Sequence, residues 1–212
     1  MIQVKIFTFN AFQENTYVLY DETLEAVIVD PGCYEKEERD ELDDFIKAKK
    51  LKVVSLINTH CHVDHVLGNA FVKSHYGVPL SIHPKEVPTL KSVESYGQVY
   101  GFHNYQPTQA DEYFEEGDTI KFGNSTLEIL FVPGHSIGHV VFYNTQDNFC
   151  IGGDVLFYRS IGRYDLPGGD YQTLMNSIKS KMFALPESMV IHPGHGPSTT
   201  VGDEKKYNPF FQ

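Results

Sequence analysis

The run Thr59-His60-Cys61-His62-Val63-Asp64-His65 constrains this chain more than any other feature, because it gathers three imidazoles and one carboxylate between His60 and His65. The apolar stretch Val53-Val54-Ser55-Leu56-Ile57-Asn58 stands directly before it and reads as a short buried strand. Directly after it, Val66, Leu67, Ala70 and Phe71 recur at helical spacing. The donors therefore fall where a strand ends and a helix begins, which is where α/β folds place their chemistry. Imidazole and carboxylate together suit zinc, iron or manganese.

Three further donors repeat the pattern. His135 stands in Pro133-Gly134-His135 after an expected strand at 126–131. Asp154 stands in Gly152-Gly153-Asp154 after one at 149–152, and His195 in Pro193-Gly194-His195 after one at 189–191. Glycine beside each lets the backbone approach a ligand closely. Five histidines and two aspartates are too many for one tetrahedral zinc and suit two ions roughly 3.5–4 Å apart, sharing a carboxylate and a water. Water held by such ions ionises near pH 7.

The whole chain reads as one α/β domain of 212 residues, with an inserted cap expected at about 84–111. Strands are expected at 4–9, 16–20 and 26–29 as an antiparallel meander, then at 119–122, 126–131, 140–144, 149–152 and 189–191. Helices are expected over 35–49, within 85–95, and after an N-cap at Asp170, whose apolar face is Leu174, Met175, Ile178 and Met182. Strand runs with helices in both halves suggest two sheets packed face to face with helices outside, a four-layer αββα sandwich. The 84–111 stretch, rich in proline, glycine and tyrosine, reads as a surface insertion over the site or as a long connection packed by its own aromatics.

A formal charge of −11 makes nucleic acid a poor partner. No apolar run is long enough to span a bilayer, and the N-terminus lacks a signal-peptide pattern. The three cysteines, Cys33, Cys61 and Cys150, fit a reducing cytoplasm, where the chain is expected to reside.

Together, His-x-His-x-Asp-His at 60–65, His135, Asp154 and His195 resemble the metallo-β-lactamase superfamily over nearly the whole chain. The resemblance implies one metal held by His60, His62 and His135, and another held by Asp64, His65 and His195. Asp154 would bridge them, Asp30 would support the ligands from behind, and Asp64 would also be catalytic. Two divalent ions are implied, zinc first, with iron or manganese as alternatives. The segment Gly153–Arg163, with Leu166-Pro167-Gly168-Gly169-Asp170 and Pro193-Gly194-His195-Gly196-Pro197, is similar to the short glyoxalase II-like hydrolases. That branch implies a thioester of the hydroxyacylglutathione type as small-molecule substrate, cleaved by a metal-bridging hydroxide. Arg163 falls where glyoxalase II carries a lysine that contacts glutathione, and Tyr158 is expected to line the pocket beside it. Full-length glyoxalase II has a helical C-terminal domain that has no counterpart here, so the thiol carrier stays open. Persulfide dioxygenases carry a similar His-Cys-His-x-Asp-His run with one iron and are the alternative; a lactonase or other ester hydrolase is another. Among the remaining histidines, His139 is expected to make a hydrogen bond near the metal loop, His192 to be structural and His75 to be on the surface. His83 and His103 are candidates for substrate contact, and Cys61 is expected to point into packing.

Overall fold

β1 (Gln3–Phe9), with Phe7 and Phe9 buried, pairs antiparallel with β2 (Glu14–Tyr20), which is buried along nearly its whole length, in a register that sets Phe9 against Glu14. The turn between them holds Asn10 and Gln13 at φ 52° and 55°, a left-handed conformation costly for residues with a Cβ. β3 (Glu25–Val29) adds antiparallel to β2, completing the expected meander. Next comes α1 (Lys36–Lys49), closed at its start by a capping box between Glu35 and Glu38 and at its end by Lys50 in the left-handed region. β4 (Lys52–Ile57) lies parallel to β3. The helix expected after the histidine run is broken in two: α2 (Val63–Val66) and α3 (Asn69–Tyr76). Gly68 sits at the break, its N–H donating to the Pro31 carbonyl at 2.7 Å, and a Cβ there would collide with that oxygen.

The computed structural model describes all 212 residues, which divide into two compact units, Met1–Phe114 with Lys121–Thr126 and Glu115–Ile120 with Leu127–Gln212. In the first unit, β5 (Leu80–Ile82), α4 (Val87–Tyr96) and β6 (Glu112–Tyr113) follow, and the sheet runs β1-β2-β3-β4-β5-β6. β3, β4, β5 and β6 are mutually parallel, so β3, β4 and β5 end at one edge. β1 runs the same way as β3, which brings the 10–13 turn to that edge too. The 84–111 stretch is a 3-10 turn at Pro84–Glu86 leading into α4, with Leu90, Val93 and Phe102 buried in this unit's core.

Asp21 ties the β2–β3 turn to residues 123–125. Its carboxylate accepts the Thr23 N–H at 2.9 Å, the Asn124 N–H at 2.8 Å and the Ser125 hydroxyl at 2.8 Å. Burial alone would raise this carboxyl, but the hydrogen bonds from Thr23, Ser125 and Asn124 outweigh it and hold it below the ordinary range. A depressed folded value means that its stabilisation is present above the unfolded value, about 3.9, and is lost as pH falls through the folded one. Denaturant midpoints measured between pH 6 and pH 2.5 should therefore fall below about pH 4, and Asp21→Asn should flatten that limb.

The second unit carries β7 (Thr119–Phe122), β8 (Ser125–Phe131), β9 (Val140–Asn144), β10 (Phe149–Gly153), a small hairpin β11 (Leu156–Phe157) and β12 (Ser160–Ile161), α5 (Tyr171–Ser180), β13 (Val190–Pro193), β14 (Thr199–Thr200) and α6 (Val201–Tyr207). Its sheet runs β14-β13-β10-β9-β8-β7, the tip of the β7–β8 hairpin counting with the first unit. β8 and β13 both run in the direction of β10, so all three end at one edge. α5 has the expected Asp170 cap, with Leu174, Met175 and Ile178 buried, while Met182 lies in a 3-10 turn beyond its end. α6 takes in residues 205–207. Its hydroxyl cap, Thr200, accepts from the Asp203 N–H, with acids in the first turn and lysines in the last.

Candidate metal centre

In the first unit the expected donors gather at the edge where β3 and β4 end. Asp30, the residue after β3, is held at φ 49° and is buried. One of its carboxylate oxygens accepts the Thr59 N–H at 2.7 Å; the other accepts the Thr59 hydroxyl at 2.6 Å and faces His65 Nδ1 at 3.2 Å. A hydroxyl has one proton, and Thr59 gives it to Asp30. Its oxygen, 3.0 Å from His60 Nδ1, is thus the acceptor of that ring's N–H. His60 and His65 are therefore both the Nδ1–H tautomer, with the lone pair on Nε2, the arrangement a metal-binding imidazole requires.

His62 caps α2, its ring edge-on to His60 at 4.8 Å, and the His65 ring lies 4.2 Å from His60. Asp64 Oδ2 is 3.8 Å from His65 Nε2. Asp30, His60 and His65 also fall within reach of a single ion, but Asp30 spends its oxygens on Thr59 and on the far nitrogen of His65. That makes Asp30 a support. Replacing it with Asn is expected to weaken metal binding about 10–100-fold, read by competition with a chromophoric chelator.

In the second unit, His135, Asp154 and His195 sit just past the ends of β8, β10 and β13. His135 Nδ1 donates to the Arg163 carbonyl at 2.7 Å, which puts its lone pair on Nε2. Asp154 Oδ2 lies 3.6 Å from His135 Nε2 and 3.5 Å from His195 Nε2, so one carboxylate oxygen stands between two imidazoles. His139 accepts the Asp154 N–H on Nε2 at 3.0 Å, the hydrogen bond expected of it. Gly134, at φ 129°, and Gly162 allow this crowding: a Cβ on the first would overlap the α5 backbone at Leu174, and one on the second the Asp154 carbonyl. His192 Nδ1 pairs with the Ser198 hydroxyl at 2.8 Å, closing the loop that carries His195; burial pushes this imidazole below its ordinary value.

The expected substrate contacts are engaged locally. The Arg163 guanidinium forms two bonds to Asp165, at 2.8 and 3.0 Å, and is more than half exposed. Tyr158 is exposed, with the Arg159 guanidinium over its ring. His103 is exposed, whereas His83 is buried and accepts the Lys85 N–H, capping a 3-10 turn. His75 is partly exposed and reaches Asp43 at 3.0 Å.

Four supporting residues lie outside the sequence reading. Thr59 orders His60 directly and His65 through Asp30. Asn10 Nδ2 donates to the Asp64 carbonyl at 3.1 Å and to that of Gly32 at 3.0 Å. The buried Glu86 accepts the N–H of Cys61 at 2.8 Å, and the Cys61 side chain packs in the core as expected. Glu14 is fully buried 3.8 Å from His65 Nδ1, and burial pushes its carboxyl well above the usual range. Thr59 has a local signal, standing beside the motif; Glu86 and Glu14 are brought in only by the sheet.

Residues 9–195 match the profile of the Metallo-beta-lactamase superfamily. A hydroxyacylglutathione hydrolase, GloC, of Haemophilus influenzae is 36% identical over 99% of this chain and 98% of its own length. A probable metallo-hydrolase, YqgX, of Bacillus subtilis is 36% identical over 93% and 92% of the two chains. Among solved structures, the B3 metallo-β-lactamase BLEG-1 superposes with a TM-score of 0.89 at 34% identity, covering 99% of this chain and 100% of its own. The di-iron-bound form of TTHA1623 superposes with a TM-score of 0.87 at 35% identity over 98% and 100%. The fold is accordingly the α/β sandwich of the metallo-β-lactamase type, and no helix is long and apolar enough to cross a membrane. By its sequence and its fold, this chain belongs to the metallo-β-lactamase superfamily of metallo-hydrolases.

Proposed function

We propose that the chain is a dinuclear metallohydrolase that cleaves thioesters, acting as a single domain. His60, His62 and His135 would hold one ion, Asp64, His65 and His195 the other, and Asp154 would bridge them. The observation that carries this reading is the single Asp154 oxygen set 3.6 and 3.5 Å from two Nε2 atoms, a bridging carboxylate's position. The donor set fits: imidazoles turned by Asp30, Thr59 and the Arg163 carbonyl to offer Nε2, with carboxylates between them. The likeness to the Haemophilus hydroxyacylglutathione hydrolase supports a hydroxyacylglutathione-type substrate, and the di-iron-bound structural relative supports two ions, zinc or iron.

Two such ions, when bound, would supply hydroxide at neutral pH and polarise the thioester carbonyl. Asp64 would orient the attacking water and accept its proton on the carboxylate oxygen not used as a ligand. A C–O bond forms to the acyl carbon and the C–S bond breaks, leaving an acid and a thiolate. A free thiol has a pKa of about 8.5, so the thiolate leaves without a dedicated general acid. Arg163 and Tyr158 would contact the thiol side of the substrate, Arg163 exchanging Asp165 for a substrate carboxylate. The chain's surroundings are expected to be the cytoplasm.

Metal-loaded protein should hydrolyse S-lactoylglutathione and consume no oxygen with glutathione persulfide. Oxygen uptake without thioester turnover would overturn the hydrolase reading in favour of a dioxygenase.

A further inference from the structure

Two segments that touch the histidine motif carry a chain of aromatic rings outward from it. The 10–13 turn is pinned to the motif by Asn10, which bonds the Asp64 carbonyl, and Asn10 also accepts the Phe12 N–H at 2.9 Å. Two residues of this turn sit at positive φ, so backbone strain is spent presenting Phe12 with 42% of its surface exposed. From the other side, Gly97 at the end of α4 packs on Val63, and the Val63 N–H points at the Tyr96 hydroxyl. Burial, and after it the nearby Asp64 carboxylate, push that phenol upward. Tyr96 meets Tyr100 edge-on at 5.8 Å, and Tyr100 meets Phe12 edge-on at 5.7 Å; Phe102, buried, backs Phe12 at 5.7 Å. Tyr100 is 49% exposed.

Single exposed apolar residues need no explanation, but a continuous aromatic wall beginning at a metal-ligand candidate does. We infer that Phe12, Tyr96 and Tyr100 form a subsite for the acyl side of the substrate, selecting thioesters whose acyl group carries an aromatic ring. The wall is uncharged, which disfavours the carboxylate-bearing thiol carrier there, and its edge-to-face geometry suits a fourth ring. This rests on the thioesterase reading above and names the substrate class within it.

The test compares S-phenylacetylglutathione with S-acetylglutathione on metal-loaded protein. The kcat/KM ratio should favour the aromatic substrate about tenfold or more, and Phe12→Ser/Tyr100→Ser should collapse the ratio towards one, with Tyr100→Ser alone in between. A ratio unchanged by the double substitution, with both substrates cleaved, overturns the wall and leaves the thioesterase reading standing. If neither substrate is cleaved, the reading of a thioesterase for glutathione esters fails. The wall is then judged by saturation-transfer NMR with phenylacetate: weaker transfer to the ring in the double variant supports it, and equal transfer overturns it.

Discussion

Asp154→Ala protein is expected to fold, to bind metal far more weakly and to lose at least about 10³-fold in kcat against a thioester. Its oxygen stands between His135 and His195, so truncation removes the one group shared by both halves of the proposed ligand set. Asp154→Asn separates charge from shape. The amide fills the same space and keeps the backbone N–H on His139, but it would no longer neutralise the two proposed cations. Metal content by plasma emission, alongside kcat, reads both variants. Retention of two ions per chain and wild-type kcat by Asp154→Ala would remove Asp154 from the centre.

Glu204→Ala should be the most damaging substitution away from the metal donors, lowering unfolding free energy by about 3 kcal/mol. Glu204 is fully buried and both of its oxygens are doubly engaged. One accepts Arg159 Nη1 at 2.8 Å and the Thr199 hydroxyl at 2.5 Å; the other accepts the Arg159 N–H at 2.9 Å and Asn208 Nδ2 at 2.8 Å. This carboxylate ties α6 to the β11–β12 hairpin, whose Ser160 carbonyl also accepts from Asn208 at 3.0 Å. Removing it takes the carboxylate partner from the Arg159 guanidinium and one acceptor each from the Arg159 N–H, the Thr199 hydroxyl and Asn208 Nδ2. Glu204→Gln, which keeps the shape, should cost less. Urea midpoints of the three proteins give the order, and an Ala variant as stable as wild type would contradict it.

The legible parts of this chain were those written in local pattern. The meander, α1 and α5 follow from alternation, capping residues and helical spacing, and each lies within two residues of its expected ends. The candidate donors at 60, 62, 64, 65, 135, 154 and 195 stand out because each follows a strand, and strand direction alone brings each set to one edge. Elements of two or three residues, such as β5, β6 and β14, are too short to show a period and exist through the neighbours they pair with. α6 was hidden by Gly202 and by its short length, although Thr200 and Asp203 carried a capping signal. Glu14, Glu86 and Glu204 were illegible for a different reason. A carboxylate reads as surface in sequence, and only tertiary structure shows it buried on a donor.

In the proposed reading, hydrolysis depends on two ions held by these seven side chains. Metal-stripped protein titrated with zinc or iron(II), with S-lactoylglutathione hydrolysis followed throughout, is the decisive measurement. No turnover is expected in the stripped protein, with a rate that rises on titration and levels off at about two ions per chain. Full turnover by the stripped protein would contradict it.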